Sequence, residues 1–242
     1  MGRLLRLIGL FLFIAVFFAT LIGAYAYVLT PTAEDVQARV ESNASAHGAV
    51  LLEPSQVPLQ MGDAIVSIED ERFYQHHGLD SIGIARSLLD DIRYRCGCEG
   101  GSTITQQLAK VVYLDGSDYG FNKIDGMALA LKIEGRLSKP RILADYLSIV
   151  PTGPTIVGMP AAACAYFGRP LNQLDLAGYA LLAGLPQAPS VYDPLLDPQA
   201  ALQRRNQVLH QMQTEGYITA TQASAAMAVT YAPPSRAGSC RR

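Results

Sequence analysis

Residues 7–29, LIGLFLFIAVFFATLIGAYAYVL, carry no charge for about 23 positions, enough helix to cross a hydrocarbon core of roughly 30 Å. That run reads as a transmembrane helix. Arg3 and Arg6 precede it, and Glu34 and Asp35 follow it. The positive-inside bias therefore keeps residues 1–6 in the cytoplasm and sends the rest of the chain outward. A cleaved signal peptide would have a shorter apolar region ending at small residues, whereas this run continues through Ala24, Tyr25, Ala26 and Tyr27.

A chain of 242 residues leaves room for one large domain or two small ones, with one core as the default. Half the residues are apolar and 17% are charged, which excludes a disordered chain. The net charge of −2 provides no basic field for nucleic acid, so any anion site must be local. Of the four cysteines, Cys96, Cys98, Cys164 and Cys240, the first two flank one glycine, and no second pair completes a zinc site. Their connectivity is left open by the sequence.

A polar helix over 33–46 and a linker with Pro54 and Pro58 make a juxtamembrane stalk, residues 30–58. The domain proper is expected over 59–232, with a disordered tail at 233–242. Within it the spacing of apolar residues predicts helices over 61–69, 81–94, 103–114, 123–136, 139–149 and 174–185, without long alternating runs. An all-α fold is expected. In the second of these helices Ile82, Ile84, Ala85, Leu88, Leu89 and Ile92 form one stripe, the pattern of an amphipathic helix packed on a core.

Two segments carry chemistry. In the first, Glu69, Asp70 and Glu71 end an apolar helix, and Phe73, Tyr74, His76 and His77 come next, before Gly78. Beside apolar walls Glu69 would have its charged form disfavoured, which suits a general base. A solvated, capped helix end explains the same residues. In the second, Gly100 and Gly101 enter a helix beginning Ser102, Thr103, Ile104, Thr105, Gln106, Gln107, with Lys110 a turn later. Thr103 and Gln106 fit a capping box. Capping alone does not require the glycine pair, two glutamines and a lysine, which together suit an anionic or sugar ligand at a helix N-terminus.

In this order and spacing the two segments resemble the peptidoglycan glycosyltransferase domain, glycosyltransferase family 51, of monofunctional transglycosylases and class A penicillin-binding proteins. The family pattern Glu-Asp-x-x-Phe-x-x-His-x-Gly falls on Glu69, Asp70, Phe73, His76 and Gly78, and Gly-Gly-Ser-Thr-Ile-Thr-Gln-Gln falls on residues 100–107. Further similar stretches are Ser138 and Lys139 with Ile142, Leu143, Tyr146 and Leu147; Ala161 to Ala163 with Tyr166, Phe167 and Gly168; residues 183–190; and Arg204 and Arg205 with Val208 and Leu209. The resemblance spans roughly residues 50–219. It implies a lysozyme-like helical fold with a membrane-embedded apolar jaw, in the bacterial cytoplasmic membrane. It also implies lipid II as acceptor and a glycan on undecaprenyl pyrophosphate as donor, with wall-synthesis proteins as partners. Glu69 would be the base. Asp70, Phe73, His76, Gly100, Gly101, Ser102, Thr103, Gln106, Gln107, Lys110 and Lys123 would bind substrate, the two lysines near the pyrophosphate, where a divalent cation such as Mg or Mn is a further expectation. The sequence holds no Ser-x-x-Lys, so no penicillin-binding transpeptidase site is expected in it.

The sequence departs from the family at the third motif, where Arg-Lys-x-x-Glu lies over residues 122–126, so that Asn122 and Gly126 replace the arginine and glutamate. Asp125 is turned about 100° away on a helix, and Glu134 lies about 12 Å along it. Asp118 stands where relatives often carry a basic residue, Ser148 where the fourth motif ends in asparagine, and Pro160 where glutamate is common. The donor side is therefore expected to be weakened. The sequence supports two readings: a divergent glycosyltransferase, and a family member that binds lipid II or a wall-synthesis partner without catalysis. Glycan hydrolysis is a third, lacking an evident second carboxylate at the spacing that chemistry needs.

Overall fold

The computed structural model describes residues 2–94, 101–116 and 122–234. Cys96, Cys98, Gly100, Asp118, Cys240 and most of the predicted tail lie outside the described residues. Among those described, the chain forms eleven α-helices and no strand. They are α1 (Gly2–Leu29), α2 (Val36–His47), α3 (Leu59–Glu69), α4 (Ser81–Tyr94), α5 (Ile104–Tyr113), α6 (Asn122–Glu134), α7 (Lys139–Ile149), α8 (Met159–Phe167), α9 (Leu176–Ala183), α10 (Pro198–Thr214) and α11 (Ala220–Ala228). The all-α expectation holds. Cys164 is disulfide-bonded.

By length and composition α1 can cross a membrane, with an apolar stretch over Gly9–Leu29. It meets the body at its C-terminal end, on α6. There Lys132 Nζ donates to the Thr30 and Pro31 carbonyls at 2.6 and 3.1 Å and to the Thr30 hydroxyl at 2.9 Å, and it sits 4.7 Å from the centre of the Tyr27 ring. These oxygen partners and an aromatic face offset the cost of half-burying that ammonium.

The segment expected to be a stalk is instead joined to the body. Val36, Val40 and Ala44 recur at helical spacing on α2, and all three are buried in the common core. Gln37 Nε2 donates to Asp145 Oδ2 of α7 at 2.5 Å, and Tyr113 Oη of α5 donates to Asp35 at 2.7 Å. The helix lies where the sequence places one, and its polar composition conceals one narrow apolar stripe.

The core falls into two packed groups. Helix α9, apolar all round, lies against α3 and α10, and α3 also touches α10. Helix α5 lies between α6 and α7. The C-terminus of α3 and the N-terminus of α5 meet where the groups join, and that junction holds both chemical motifs. Gly78 makes the approach possible. Its φ is +84°, and a Cβ there would stand 2.9 Å from the Ala130 carbonyl oxygen of α6, so a side chain is excluded by both backbone strain and contact.

Helix α4 forms as predicted, but Ile82, Ile84 and Leu89 of its stripe do not pack inside. Ile82 is 63% and Leu89 67% exposed, and Ile84 is also exposed. The helix is tethered at its start, where the Asp80 carboxylate accepts the Ile82 and Gly83 amides and pairs with Arg72. Apolar residues at helical spacing reveal that a helix has an apolar face; they do not reveal what covers it.

Candidate active site

Glu69 is the last residue of α3 and is half-buried. Its Oε2 accepts a hydrogen bond from Gln107 Nε2 of α5 at 2.7 Å. Burial pushes its carboxyl above the ordinary range. The Gln107 amide and the Arg204 guanidinium pull the other way, and neighbouring Asp70 adds to the rise. Arg204 reaches this position from α10, its Nε donating to the Gly184 carbonyl at 3.4 Å and its NH1 to Gln207 at 3.2 Å. Burial in turn lowers the guanidinium, against the pull of Glu69.

The next residue has a different task. Asp70 is buried, and its Oδ2 accepts the backbone amide of Ile104, the first residue of α5, at 3.0 Å. Both carboxylate oxygens face His76 Nε2, at 2.9 and 3.0 Å. His76 Nδ1 is buried without a partner, so the ring proton belongs on Nε2, where the carboxylate accepts it. Thr103 Oγ1 donates to the Gly78 carbonyl at 2.7 Å, and Thr103 and Gln106 form the reciprocal capping box that the sequence suggested. Phe73, expected among the substrate-contacting residues, is fully buried, with Lys139 Nζ 4.4 Å from its ring centre. Asp70, held by His76, and Thr103, capped by Gln106, thus fasten the end of α3 and its following loop to the start of α5, beside Glu69.

Beside that junction opens a small, open cleft lined by Ser102, Gln106, Gln107, Lys110, Asn122, Lys123 and Gly126, with Leu114 at one wall. It brings the glutamine that binds Glu69 together with both lysines singled out in the sequence. Gly101 precedes this wall with φ +94°. Asp125 lines a separate apolar cavity against the end of α1. Glu134 is committed elsewhere, accepting from Thr105 Oγ1 at 2.6 Å and Lys139 Nζ at 2.7 Å. Neither carboxylate lines the lysine cleft.

Two residues of the site were given no role from sequence. Arg204 comes from α10, more than a hundred residues beyond Glu69. Tyr146 of α7 is fully buried, and its Oη donates to Gln107 Oε1 at 2.6 Å. It lies inside a stretch similar to the family pattern, which was the available signal.

A half-buried carboxylate at a helix junction thus stands next to a cleft lined by two lysines. The chain matches the family described as Transglycosylase over residues 36–213, and it belongs to that family. It is 42% identical over 171 residues to penicillin-binding protein 1A of Streptococcus oralis, covering 69% of this chain and 27% of that protein. It is 43% identical over 167 residues to penicillin-binding protein 1A of Escherichia coli K12, covering 69% and 20%. The 2.6 Å crystal structure of penicillin-binding protein 1A from Haemophilus influenzae aligns with a TM-score of 0.46 and 23% identity, covering 77% of this chain and 18% of that one. The chain therefore spans about a fifth to a quarter of the length of these curated relatives.

Proposed function

We propose that the chain is a membrane-anchored peptidoglycan glycosyltransferase that polymerises lipid II by inverting transfer from a glycan on undecaprenyl pyrophosphate. The observation that carries this reading is the Glu69 carboxylate, raised by burial and held by Gln107, whose helix also lines the lysine cleft. Glu69 takes the proton from the acceptor 4-hydroxyl as that oxygen attacks the donor anomeric carbon. The bond to pyrophosphate breaks on the opposite face. Lys110 and Lys123 stabilise the charge that develops there. The cleft offers ammonium and amide groups, and among the described residues no cluster of three His, Cys, Asp or Glu stands together. These groups do not suit a protein-held divalent cation, so the reading assigns the countercharge to the lysines.

Anchoring fits a lipid-linked substrate. With α1 spanning the bacterial cytoplasmic membrane and the N-terminus inside, the exposed α4 stripe of Ile82, Ile84 and Leu89 is the apolar jaw that dips into the outer leaflet, and wall-synthesis proteins are its natural partners. The test is incubation of the purified chain in detergent with lipid II and a short lipid-linked oligomer, products being separated by gel. Glycan strands are expected, and their absence with both substrates sinks the enzymatic reading.

A second reading, lipid II binding without polymerisation, draws on Asn122 and Gly126, which leave the cleft without the arginine and glutamate of the third motif. The geometry permits their return. A Cβ at Gly126 would meet only Leu114 Cδ1, at 3.6 Å, which is ordinary contact. Gly126→Glu combined with Asn122→Arg is expected to raise the polymerisation rate about tenfold, the effect of roughly one well-placed charge interaction. An unchanged rate in initial-velocity measurements would show that the donor side is not what limits this chain.

A further inference from the structure

The Tyr146 hydroxyl is fully buried, and its acceptor is the carbonyl end of the Gln107 amide. The other end of that amide is the donor to Glu69. We infer that Tyr146 is a positioning residue that fixes which end of Gln107 faces Glu69, and thereby holds Glu69 as a proton acceptor.

An amide between a phenol and a carboxyl group has two orientations. In the one observed, Tyr146 donates to the carbonyl oxygen and the NH2 donates to Glu69, a set of bonds that is strongest when Glu69 is ionised, because a neutral carboxyl accepts more weakly and has a proton of its own to place. In the flipped orientation the NH2 donates to Tyr146, and the carbonyl accepts a proton from a neutral Glu69. That state leaves the Tyr146 proton buried without its acceptor, a penalty comparable to losing a hydrogen bond outright. Burial keeps Tyr146 a phenol, raised well above its ordinary value, with the Glu69 charge adding to the rise. It therefore always has a proton to place. The hydroxyl two contacts away thus opposes the desolvation that would otherwise neutralise the carboxylate.

Among the described residues, three charged or titratable groups act on Glu69 or through its amide partner. Asp70 is its neighbour in the chain, Arg204 faces it from α10, and Tyr146 approaches from α7 behind Gln107 of α5. Helix α9, which also packs on α3, brings Tyr179, whose charged neighbour is Asp175. Of these, Tyr146 acts through an amide that can turn over, so its removal changes a preference rather than a charge.

The inference rests on the reading of Glu69 as the base, and the experiment separates the two. The full chain, in detergent and labelled with 13C at glutamate carboxyls, is titrated by NMR, with Glu69→Gln used to assign the signal. Tyr146→Phe is expected to raise the Glu69 midpoint by about one pH unit. The acid limb of the polymerisation profile should move up by the same amount, an about tenfold loss of rate below that limb. Gln107→Leu should raise the midpoint as well, and adding Tyr146→Phe to it should move nothing further. If the phenylalanine variant fails to fold, 3-fluorotyrosine placed at 146 keeps the hydroxyl, strengthens it as a donor, and should shift the midpoint down. A midpoint that ignores Tyr146→Phe, or that shifts equally in the Gln107→Leu background, overturns the inference. Shifts as expected in a chain that makes no polymer uphold the control of Glu69 by Tyr146 and defeat only its catalytic use.

Discussion

Glu69→Gln is expected to reduce lipid II polymerisation by about 10²–10⁴-fold, the usual contribution of a positioned general base, while lipid II binding and the melting temperature stay close to wild type. The amide matches the carboxylate in size. Its carbonyl oxygen still accepts from Gln107 Nε2, at present 2.7 Å from Glu69 Oε2, so the junction between α3 and α5 has no reason to loosen. The variant lacks only the group that takes a proton. The carboxyl of Glu69 is raised by burial, so in the wild type the rate should climb with pH as that group ionises. The residual rate of the variant should lose this limb. Gel-based initial rates across pH, set beside a lipid II binding isotherm, check both statements. Full activity in Glu69→Gln would move the base elsewhere, and lost binding would make Glu69 a substrate contact rather than a proton acceptor.

How much of this was legible beforehand differs from helix to helix for physical reasons. The segments around Glu69 and Gln107 announced themselves because capping and turn chemistry are local. Thr103 and Gln106 stand three apart, and the cap they form needs no partner from the rest of the chain. Contacts that close across the fold were not legible. The Asp70 bond to the Ile104 amide spans 34 positions, and the Tyr146 bond to Gln107 spans 39. No periodicity encodes which of several buried tyrosines faces which amide. The α4 stripe reads as the face of an amphipathic helix packed on the core, whereas Ile82, Ile84 and Leu89 are exposed, because helical spacing reports an apolar face and not what covers it. The reverse happened at α2, whose polar composition hid Val36, Val40 and Ala44 in the core. Helices α10 and α11 begin at Asp197 and Thr219, both of which accept backbone amides of the first turn. Those caps are visible in the sequence, but the weak apolar pattern of residues 198–214 and 220–228 left them without a helix to start.

The same junction sets the second large effect. Asp70→Ala is expected to lower the free energy of unfolding by about 2–6 kcal/mol, the cost of leaving two buried donors unsatisfied at roughly 1–3 kcal/mol each. Two donors lose their acceptor at once. The Ile104 amide is in the first turn of α5, where no intrahelical carbonyl is available to it, and the His76 Nε2 proton is enclosed beside it. Asp70→Asn separates the two losses. Its carbonyl oxygen can keep the Ile104 amide, while its NH2 confronts His76 Nε2. Histidine can answer by moving its proton to Nδ1, but that atom is buried with no partner, so the relief leaves an orphaned donor and a cost of about 1–3 kcal/mol. Denaturant unfolding of the detergent-solubilised chain should therefore rank wild type above Asn and Asn above Ala. Activity should fall faster than stability in the alanine variant, because a shift of the α5 N-terminus carries Gln107 away from Glu69. An alanine variant as stable as the asparagine one would mean that the helix start is held by its capping box alone. Asp70 would then serve His76 and not the geometry of the base.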